Sequence, residues 1–543
     1  MFSDFYKKFC EESFNKENHL EKFRAVYPPD FNYGYDVTDA IARENPEKLA
    51  LVYDDEHIGT GRLTFEDIRI LSNKTANVLS HNGIKKGDKL MVVLKNHYEY
   101  WYIAIAAHKL GAVLCPVFYM LPEPALIYRI KKADVTHIIS TPYGDTPKNV
   151  RSAAEKCGVK HLFSVRENVY GFINLTKEIQ NAPSEFERVE TSAHDPAIIY
   201  FTSGTTGMPK AVMHNFIFML TQIVASRYLL CSEKGGLHLS MGDSGWAMTT
   251  GTKFYGPWLI GIPLLIYEYD AFSPEKILET LEKHKVNSFM APPTLYKSLI
   301  RVGMDKYDLS ELDTLSCGGE PLPVKVFEEV YRQTGIVLRE GLAQSEASLY
   351  IGNMKYLTVK EGSLGKIAPK FNTVIADEDG KPVEAGRFGE IMIIPDHAGH
   401  YQDGIAMGYY KDEEAYEKLW EHGLFHTGDF ARADEEGYIY YGGRTDDLIK
   451  TKAYRVSPFE IETVLIKHPA VYECMVVGVP NEDMGMLIKA FVVPEIGIAP
   501  SDALKDELME FANKQLAGYM KIRQMEFVNS LEKSVNGKII HKK

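Results

Sequence analysis

Short apolar runs alternate with longer amphipathic stretches between about residue 60 and residue 350 of this 543-residue chain. The runs are rich in β-branched residues and include KLMVVLKN, THIIST, AIIYFTSG, PLLIYE and NSFMAPP, whereas YEYWYIAIAAHKLGA is typical of a helix. Strands that alternate with helices indicate βαβ units, in which parallel strands form sheets that helices cover. We therefore predict an α/β fold with a large N-terminal domain of mostly parallel sheets covered by helices.

The pattern changes after about residue 365, where the turn signals ADEDGKPV and ADEEGYIYY indicate a β-rich subdomain. The last hundred residues predict a small α+β unit, with strands in ECMVVGVP, KAFVVPE and MEFVNSL and an amphipathic helix in DALKDELMEFANKQL. The segment GGRTDDLIK marks the boundary between the N-terminal domain, which includes the β-rich subdomain, and this C-terminal unit. We expect an N-terminal domain over residues 1–445 and a C-terminal domain over residues 446–543.

Composition argues against several other classes of protein. The formal net charge of -13 repels polyanions, so nucleic-acid binding is not expected. The six cysteines form no CxxC pair and no metal-ligand spacing, which favours free thiols in a reducing compartment. The N-terminus has no continuous apolar run, and charged residues interrupt other apolar stretches before the ~20 residues of a membrane span. We predict a cytoplasmic protein without a membrane span.

The segment YFTSGTTGMPK, from Tyr200 to Lys210, gives the strongest indication of function. It follows an apolar strand-like run and holds two glycines, one lysine and hydroxyl side chains. Glycines let the backbone approach an anion, while hydroxyls and Lys210 donate to phosphate oxygens. The spacing differs from a Walker A loop. A Ser/Thr/Gly-rich surface turn is the alternative, but it explains the complete string less well. The predicted phosphate-binding residues are Thr202, Ser203, Gly204, Thr205, Thr206, Gly207 and Lys210.

This segment resembles the signature YTSGTTGxPK of the superfamily of acyl-CoA synthetases, peptide-synthetase adenylation domains and luciferases. Further motifs of that superfamily follow in order over nearly the whole chain: GEP at 319–321, QSE for QTE at 344–346, TGD at 427–429, GRTDDLIK at 443–450 and NGK at 536–538. The segments PKAVMHNF, GDSGWA and GNMKY with GSLGK are similar to the medium-chain acyl-CoA synthetase branch.

The resemblance implies a role for each matched residue. Ser345 contacts the α-phosphate of ATP, Glu346 holds Mg2+, and Lys538 bridges the acid and the α-phosphate. Asp429 binds the ribose hydroxyls, and Asp446 is the hinge of a mobile C-terminal domain. The other implied nucleotide-binding residues are Gly319, Glu320, Pro321, Gln344 and Arg444. Coenzyme A is implied to pass Ala453, Tyr454 and Arg455.

The implied acyl pocket is lined by Trp246, Ala247, Met248, Lys253, Gly318 and Ala343. Acetate-specific relatives carry a tryptophan at the position of Ala343, so alanine favours a longer, short-to-medium acid. Lys253 either meets a polar group of the substrate or lies at the pocket mouth. Trp246, like Trp258, is explained equally well as a core aromatic.

The resemblance therefore implies an ATP-dependent acid:CoA ligase that forms acyl-AMP and pyrophosphate, then acyl-CoA and AMP. Ala453 stands where the superfamily usually has glycine, and its methyl group narrows the passage for the pantetheine arm. A carrier-protein thiol or an amine is therefore an alternative acceptor. A nucleotide-binding regulatory protein without catalysis is a third hypothesis. The sequence is compatible with a homodimer but does not require one.

Overall fold

The computed structural model describes residues 3–202, 208–396, 402–451, 454–481, 485–533 and 539. Strands and helices are numbered along the chain. The helices are α1 (Ala40–Glu44), α2 (Phe65–His81), α3 (Glu99–Lys109), α4 (Glu123–Ala133), α5 (Thr146–Cys157), α6 (Leu175–Asn181), α7 (Ile217–Leu220), α8 (Gln222–Ala225), α9 (Met248–Lys253), α10 (Tyr255–Leu259), α11 (Pro274–Lys283), α12 (Pro293–Val302), α13 (Val324–Thr334), α14 (Glu413–Glu417), α15 (Pro458–Leu465) and α16 (Asp502–Gln515).

Two large sheets form the frame of the N-terminal part. The first sheet has the strand order β21 (Gly408–Tyr409), β11 (Lys210–Asn215), β10 (Pro196–Thr202), β6 (Val113–Pro116), β5 (Lys89–Val93), β7 (Val135–Ser140), β8 (His161–Ser164) and β9 (Ile173–Asn174). The second has the order β18 (Lys366–Ile367), β17 (Ile351–Gly352), β16 (Leu338–Leu342), β15 (Thr314–Gly318), β14 (Ser288–Met290), β12 (His238–Ser240), β13 (Leu264–Glu268), β3 (Leu49–Asp55) and β4 (Gly59–Thr64).

The central strands of both sheets are parallel, which confirms the prediction from the alternating apolar runs. In the first sheet β10, β6, β5, β7, β8 and β9 pair in parallel, and antiparallel pairs occur towards β21. In the second sheet β3, β13, β12, β14, β15 and β16 do so. Strands of this kind are apolar on both faces because helices cover both sides of a parallel sheet.

The two sheets enclose the largest apolar core, to which α2, α3 and α10 also contribute. Every residue of α3 is buried, and the continuous apolar run over residues 100–107 follows from this position. Trp258 also lies in this core, fully buried, and its Nε1 donates to Ala50 O at 3.0 Å. Further cores lie under α4 and α5 on the first sheet and under α11, α12 and α13 on the second. The N-terminal part is thus layered α/β/α/β/α.

Smaller sheets complete the chain. The β-rich section forms an antiparallel sheet of β19 (Asn372–Ala376), β20 (Phe388–Ile394), β22 (Phe425–Ala433) and β23 (Ile439–Arg444). The C-terminal unit has β24 (Ile449–Thr451) with β25 (Tyr454–Val456), and β26 (Val471–Asn481) with β27 (Gly485–Pro494) and β28 (Gln524–Phe527). Near the N-terminus β1 (Cys10–Phe14) pairs with β2 (Leu20–Ala25).

The C-terminal unit has its own apolar core, formed by α15, α16 and the β26-β27-β28 sheet. This confirms the predicted α+β character, while the boundary at residue 446 stays a prediction. All six cysteines are free thiols, as expected. Among the helices that the structure describes, none combines the length and the apolar character needed to cross a membrane.

Candidate functional site

The phosphate-binding, GEP and QSE segments follow strand ends of the two large sheets, whereas Asp429 and Arg444 are register partners on β22 and β23 of the antiparallel sheet. Thr202 ends β10 and is the register partner of Lys210, the first residue of β11. In the second sheet Gly318 ends β15 and pairs with Gly341 of β16, so the GEP and QSE segments leave from neighbouring strands. The carboxyl ends of parallel strands in open α/β sheets are the usual position of ligand sites. Residues 203–207, which lie between Thr202 and Lys210, are outside the described part of the structure.

Lys210 and Glu346 meet at one tyrosine. The Nζ of Lys210 lies 4.7 Å from the centroid of the Tyr409 ring, and the Tyr409 hydroxyl donates to Glu346 Oε1 at 2.7 Å. The backbone of Glu346 is fixed as well, because its carbonyl accepts from Ala406 N at 2.7 Å. The first and second sheets therefore bring a cation and a carboxylate to the same place, although the two residues are far apart in sequence.

Ser345 is joined to the first sheet by a buried histidine. His214 on β11 donates from Nε2 to Ser345 O at 2.7 Å, and its ring stacks on Phe218 with centroids 3.7 Å apart. Burial lowers the pKa of His214 to about 4, so the ring is neutral at physiological pH. A neutral imidazole that donates through Nε2 holds the serine backbone without adding charge beside the phosphate-binding segment.

Asp429 is the centre of a hydrogen-bond network and is only 3% exposed. Its Oδ2 accepts from Gln344 Nε2 at 2.5 Å and from the Tyr350 hydroxyl. Its Oδ1 accepts from the Tyr441 hydroxyl at 3.1 Å and from Arg444 Nη1 at 3.4 Å. Burial and the adjacent Asp429 raise the pKa of both tyrosines well above the usual range, so the hydroxyls remain donors.

Arg444 connects Asp429 to the predicted hinge. Its Nη1 donates to Thr427 O at 2.8 Å, and its Nε donates to Asp446 Oδ1 at 3.4 Å. Asp446 lies in a short 3-10 turn, Thr445–Asp447, between β23 and β24. The predicted ribose-binding residue and the predicted hinge residue are therefore bound to the same guanidinium.

The GEP segment is held by two carboxylates. Glu320 accepts the backbone N–H of Thr294 at 2.6 Å, at the N-terminus of α12. Pro321 is exposed, and the following residue, Leu322, donates its N–H to Glu340 Oε1 at 3.0 Å. The side chain of Glu320 is thus turned to a helix end, while the backbone of the segment remains beside Glu340.

Glu340 is expected to make stability depend on pH. Burial, with a smaller effect of Glu320, raises the pKa of Glu340 from its ordinary 4.5 to about 8. Between about pH 5 and pH 8 the native state therefore binds more protons than the unfolded state. The contribution of Glu340 to the free energy of unfolding falls as the pH rises through this interval and is constant above it. We expect the melting temperature of Glu340→Gln, relative to that of the wild type, to increase as the pH rises over this interval. Glu328 is exposed, so Glu328→Gln is the control. Melting temperatures of Glu340→Gln and the wild type that change in parallel with pH would contradict the expectation.

Two predicted acyl-pocket residues, Trp246 and Met248, lie beside the GEP segment. A Cβ placed on Gly319 would be 2.9 Å from Cη2 of Trp246 and 3.8 Å from Sδ of Met248. Gly319 has a φ of +89°, so glycine is needed for both its conformation and this close approach. Trp246 and Met248 therefore line the GEP segment, unlike Trp258, which lies in the core.

Three other predicted pocket residues differ in exposure. Ala247, next to Trp246, is partly buried, and Ala343 is exposed one residue beyond β16. Lys253 is 1% exposed, and its Nζ donates to Asn96 Oδ1 and Gly242 O, both at 2.9 Å. The ammonium is therefore bound by the protein itself.

Part of the predicted site lies outside the described residues. Ser203, Gly204, Thr205, Thr206 and Gly207 lie outside the described residues, as do Ala453 and Lys538. For Tyr454 and Arg455 only the backbone is described, in β25. Their roles stay predictions.

Several residues of the site are not predicted from the sequence. Tyr350, Tyr409, Tyr441 and His214 contact predicted site residues, and Glu340 accepts a hydrogen bond from Leu322, next to the GEP segment. Some of them lie close to a motif in the sequence: Tyr350 follows QSE, Tyr441 precedes GRTDD, and His214 follows the phosphate-binding segment. Tyr409 lies close to none of the motifs. Proximity does not specify which side chain turns toward the site, because that depends on the three-dimensional arrangement of the strands.

The chain is similar to known proteins over almost its full length. The model of the family described as AMP-binding enzyme matches residues 38–410, and that of the AMP-binding enzyme C-terminal domain matches residues 460–538. The 4-hydroxybutyrate-CoA ligase 1 of Metallosphaera sedula is 32% identical over 99% of this chain and 95% of its own length. The mitochondrial acyl-coenzyme A synthetase ACSM3 of Mus musculus is 31% identical over 99% of this chain and 94% of its own length.

The fold is shared with a solved ligase. The crystal structure of the anthranilate CoA ligase AuaEII in complex with anthranoyl-AMP superposes with a TM-score of 0.85, covering 94% of this chain and 96% of that one at 24% identity. At this identity the likeness concerns the fold.

Proposed function

Because the chain belongs to the family of AMP-binding enzymes, we propose that it is an AMP-forming acid:CoA ligase of the medium-chain acyl-CoA synthetase branch. Its proposed substrates are ATP, coenzyme A and a short-to-medium carboxylic acid. The observation that carries the proposal is the convergence of Lys210 and Glu346 on Tyr409, close to the Asp429 network.

The first half-reaction activates the acid. A carboxylate oxygen of the acid attacks the α-phosphorus of ATP, the bond to the β-phosphate oxygen breaks, and pyrophosphate leaves. Such a reaction depends mainly on in-line positioning and on neutralising the negative charge that develops. Lys210 supplies positive charge next to the phosphate-binding segment. Asp429 is proposed to accept hydrogen bonds from the ribose hydroxyls at Oδ1. The hydrogen bonds from Tyr441 and Arg444 to Oδ1 are longer than the one from Gln344 to Oδ2.

Glu346 fits the proposed Mg2+ site. The Tyr409 hydroxyl donates to Oε1, and a carboxylate oxygen is a preferred Mg2+ ligand. The bond from Tyr409 fixes the orientation of the carboxylate. When bound, Mg2+ supplies charge neutralisation at the phosphate oxygens. Lys538 is proposed to add an ammonium between the acid and the α-phosphate.

The second half-reaction forms the thioester. The sulfur of coenzyme A attacks the acyl carbon, the bond to the AMP oxygen breaks, AMP leaves, and the thiol proton passes to solvent. We propose that rotation of residues 446–543 about Asp446 exchanges Lys538 for the segment with Ala453, Tyr454 and Arg455. The contact of Arg444 with both Asp429 and Asp446 supports a hinge that is linked to the nucleotide site.

The test is a substrate panel with purified protein. ATP, Mg2+ and linear, branched, aromatic and 4-hydroxy acids of about two to eight carbons are supplied, and pyrophosphate and thioester are measured with and without coenzyme A. We expect both products with an acid of four or more carbons, and neither after Mg2+ is chelated. Adenylate without thioester would contradict coenzyme A as acceptor. No acid-dependent pyrophosphate from any acid would contradict ligase activity on this class of substrates.

A further inference from the structure

Residues 242–246, which we call the acyl-wall loop, join β12 to α9 and end at Trp246. The loop is closed by its own hydrogen bonds. Gly245 N donates to Asp243 Oδ1 at 2.8 Å, Trp246 N donates to Asp243 O at 3.0 Å, and Thr249 N donates to Trp246 O at 2.9 Å. Because the Trp246 ring lies against Gly319, a shift of the loop as a unit changes the distance between that ring and the GEP segment.

Lys253 holds the start of this loop. Its ammonium has three donor positions, and two of them bind Gly242 O and Asn96 Oδ1. Burial lowers the pKa of Lys253 to about 8, so the group remains largely charged at neutral pH. Hydrogen bonds from a charged donor are roughly twice as strong as those between neutral groups. The ammonium thus joins the acyl-wall loop of the second sheet to Asn96 of the first.

Asn96 is half-buried and precedes a histidine that is held on both sides. It lies after β5 in a tight turn in which His97 N donates to Lys95 O at 2.7 Å. The His97 ring is fully buried, with Nδ1 2.5 Å from Glu268 Oε2 and Nε2 2.7 Å from Thr141 Oγ1. The residue next to Asn96 is therefore fixed on both ring nitrogens.

The charged side chains around His97 pair with one another. Arg166 pairs with Asp55 at 2.8 Å and with Glu99 at 2.7 Å, and its Nη2 lies 3.4 Å from Glu268 Oε2. The ligand atoms of Asp55, His97 and Glu268 are close enough to hold a metal ion, but the guanidinium already supplies positive charge to both carboxylates. We interpret this cluster as the support of the turn that carries Asn96.

Two further contacts seat the acyl-wall loop on the first sheet. Ser244 Oγ donates to Leu94 O at 2.9 Å, just after β5. A Cβ on Gly245 would lie 2.4 Å from Phe118 N and from the carbonyl carbon of Val117, so the two backbones touch just beyond β6. With these contacts in place, loss of the Asn96 bond loosens the loop without releasing it.

We propose that Asn96 is a positioning residue for acid selection: it anchors Lys253, which holds the acyl-wall loop and keeps Trp246 at a fixed distance from Gly319. The acid's length is then selected partly by a residue outside the pocket. This inference rests on the proposed ligase function. A looser wall admits longer chains, so loss of the anchor shifts selectivity toward them.

The test is Asn96→Ala, assayed by pyrophosphate release with butanoate and octanoate. We expect the octanoate-to-butanoate ratio of kcat/KM to rise about tenfold while KM for ATP stays within about twofold. Asn96→Asp keeps an oxygen acceptor for the ammonium and is expected to retain the wild-type ratio. Asn77→Ala is the matched control, because Asn77 donates to the carbonyls of Pro183 and Glu185, away from the loop.

Hydrogen exchange gives a second measurement that needs no substrate. We expect faster exchange in Asn96→Ala over residues 242–253 and unchanged exchange in the C-terminal unit. Equal loss of activity with both acids, or unchanged exchange in the loop, would overturn the inference and leave the ligase function intact. Absence of acid-dependent pyrophosphate from the wild type would instead overturn the proposed function.

Discussion

Asp429→Asn is expected to lower kcat/KM for ATP by roughly 100-fold and the free energy of unfolding by about 3–5 kcal/mol. The carboxylate is buried and accepts from Gln344, Tyr350, Tyr441 and Arg444. An asparagine of the same shape turns an NH2 group toward donors, and it removes one of the two carboxylates that pair with the Arg444 guanidinium. Pyrophosphate release at varied ATP and denaturant unfolding measure the two effects.

Asp434→Asn is the matched control for Asp429→Asn. Asp434 lies between β22 and β23, where it accepts from Lys360 Nζ at 2.8 Å. Because it contacts none of the site residues described above, kcat/KM for ATP should stay within about twofold of the wild type. A wild-type kcat/KM in Asp429→Asn would remove Asp429 from the proposed nucleotide site, whatever its effect on stability.

Lys538→Ala is expected to slow acyl-adenylate formation by about 100- to 1,000-fold, the usual cost of losing one preorganised charge. Thioester formation from preformed acyl-AMP should change much less, because the proposed rotation withdraws Lys538 before the thiol enters. Single-turnover assays with ATP and acid, and separately with acyl-AMP and coenzyme A, measure the two steps.

Lys533→Ala is the control for Lys538→Ala within the same C-terminal segment. Lys533 pairs with Glu473 at 2.6 Å in the C-terminal unit and has no proposed catalytic role. It should leave both half-reactions near wild type. Equal slowing of the two steps by Lys538→Ala would argue against a role restricted to adenylation, and an unchanged adenylation rate would reject its catalytic role.

The parallel strands and the order of motifs could be predicted from the sequence because both depend on local patterns. A short run such as AIIY is buried on both faces wherever it stands in a parallel sheet, and it became β10 as expected. The GEP, QSE and TGD segments are likewise continuous stretches of chain. GEP and QSE follow strand ends, as the α/β architecture leads one to expect, whereas TGD lies within β22 of the antiparallel sheet.

Contacts between distant residues could not be predicted in this way. Nothing near Glu346 in sequence indicates that Tyr409 holds its carboxylate, and Asn96 is separated from Lys253 by 157 residues. Lys253 itself was expected to meet substrate or lie at the pocket mouth, whereas a buried amine needs partners from the fold. Those partners depend on how the two sheets face each other, which no single segment encodes.

The seating of the acyl-wall loop on the first sheet also bears on recombination between relatives. Ser244 and Gly245 contact the chain just beyond β5 and β6, more than a hundred residues earlier in sequence. A crossover between β6 and β12 would unite a loop from one parent with strand ends from another. Grafting the substrate range of a relative onto this scaffold therefore requires the β5 and β6 turns to travel with the loop.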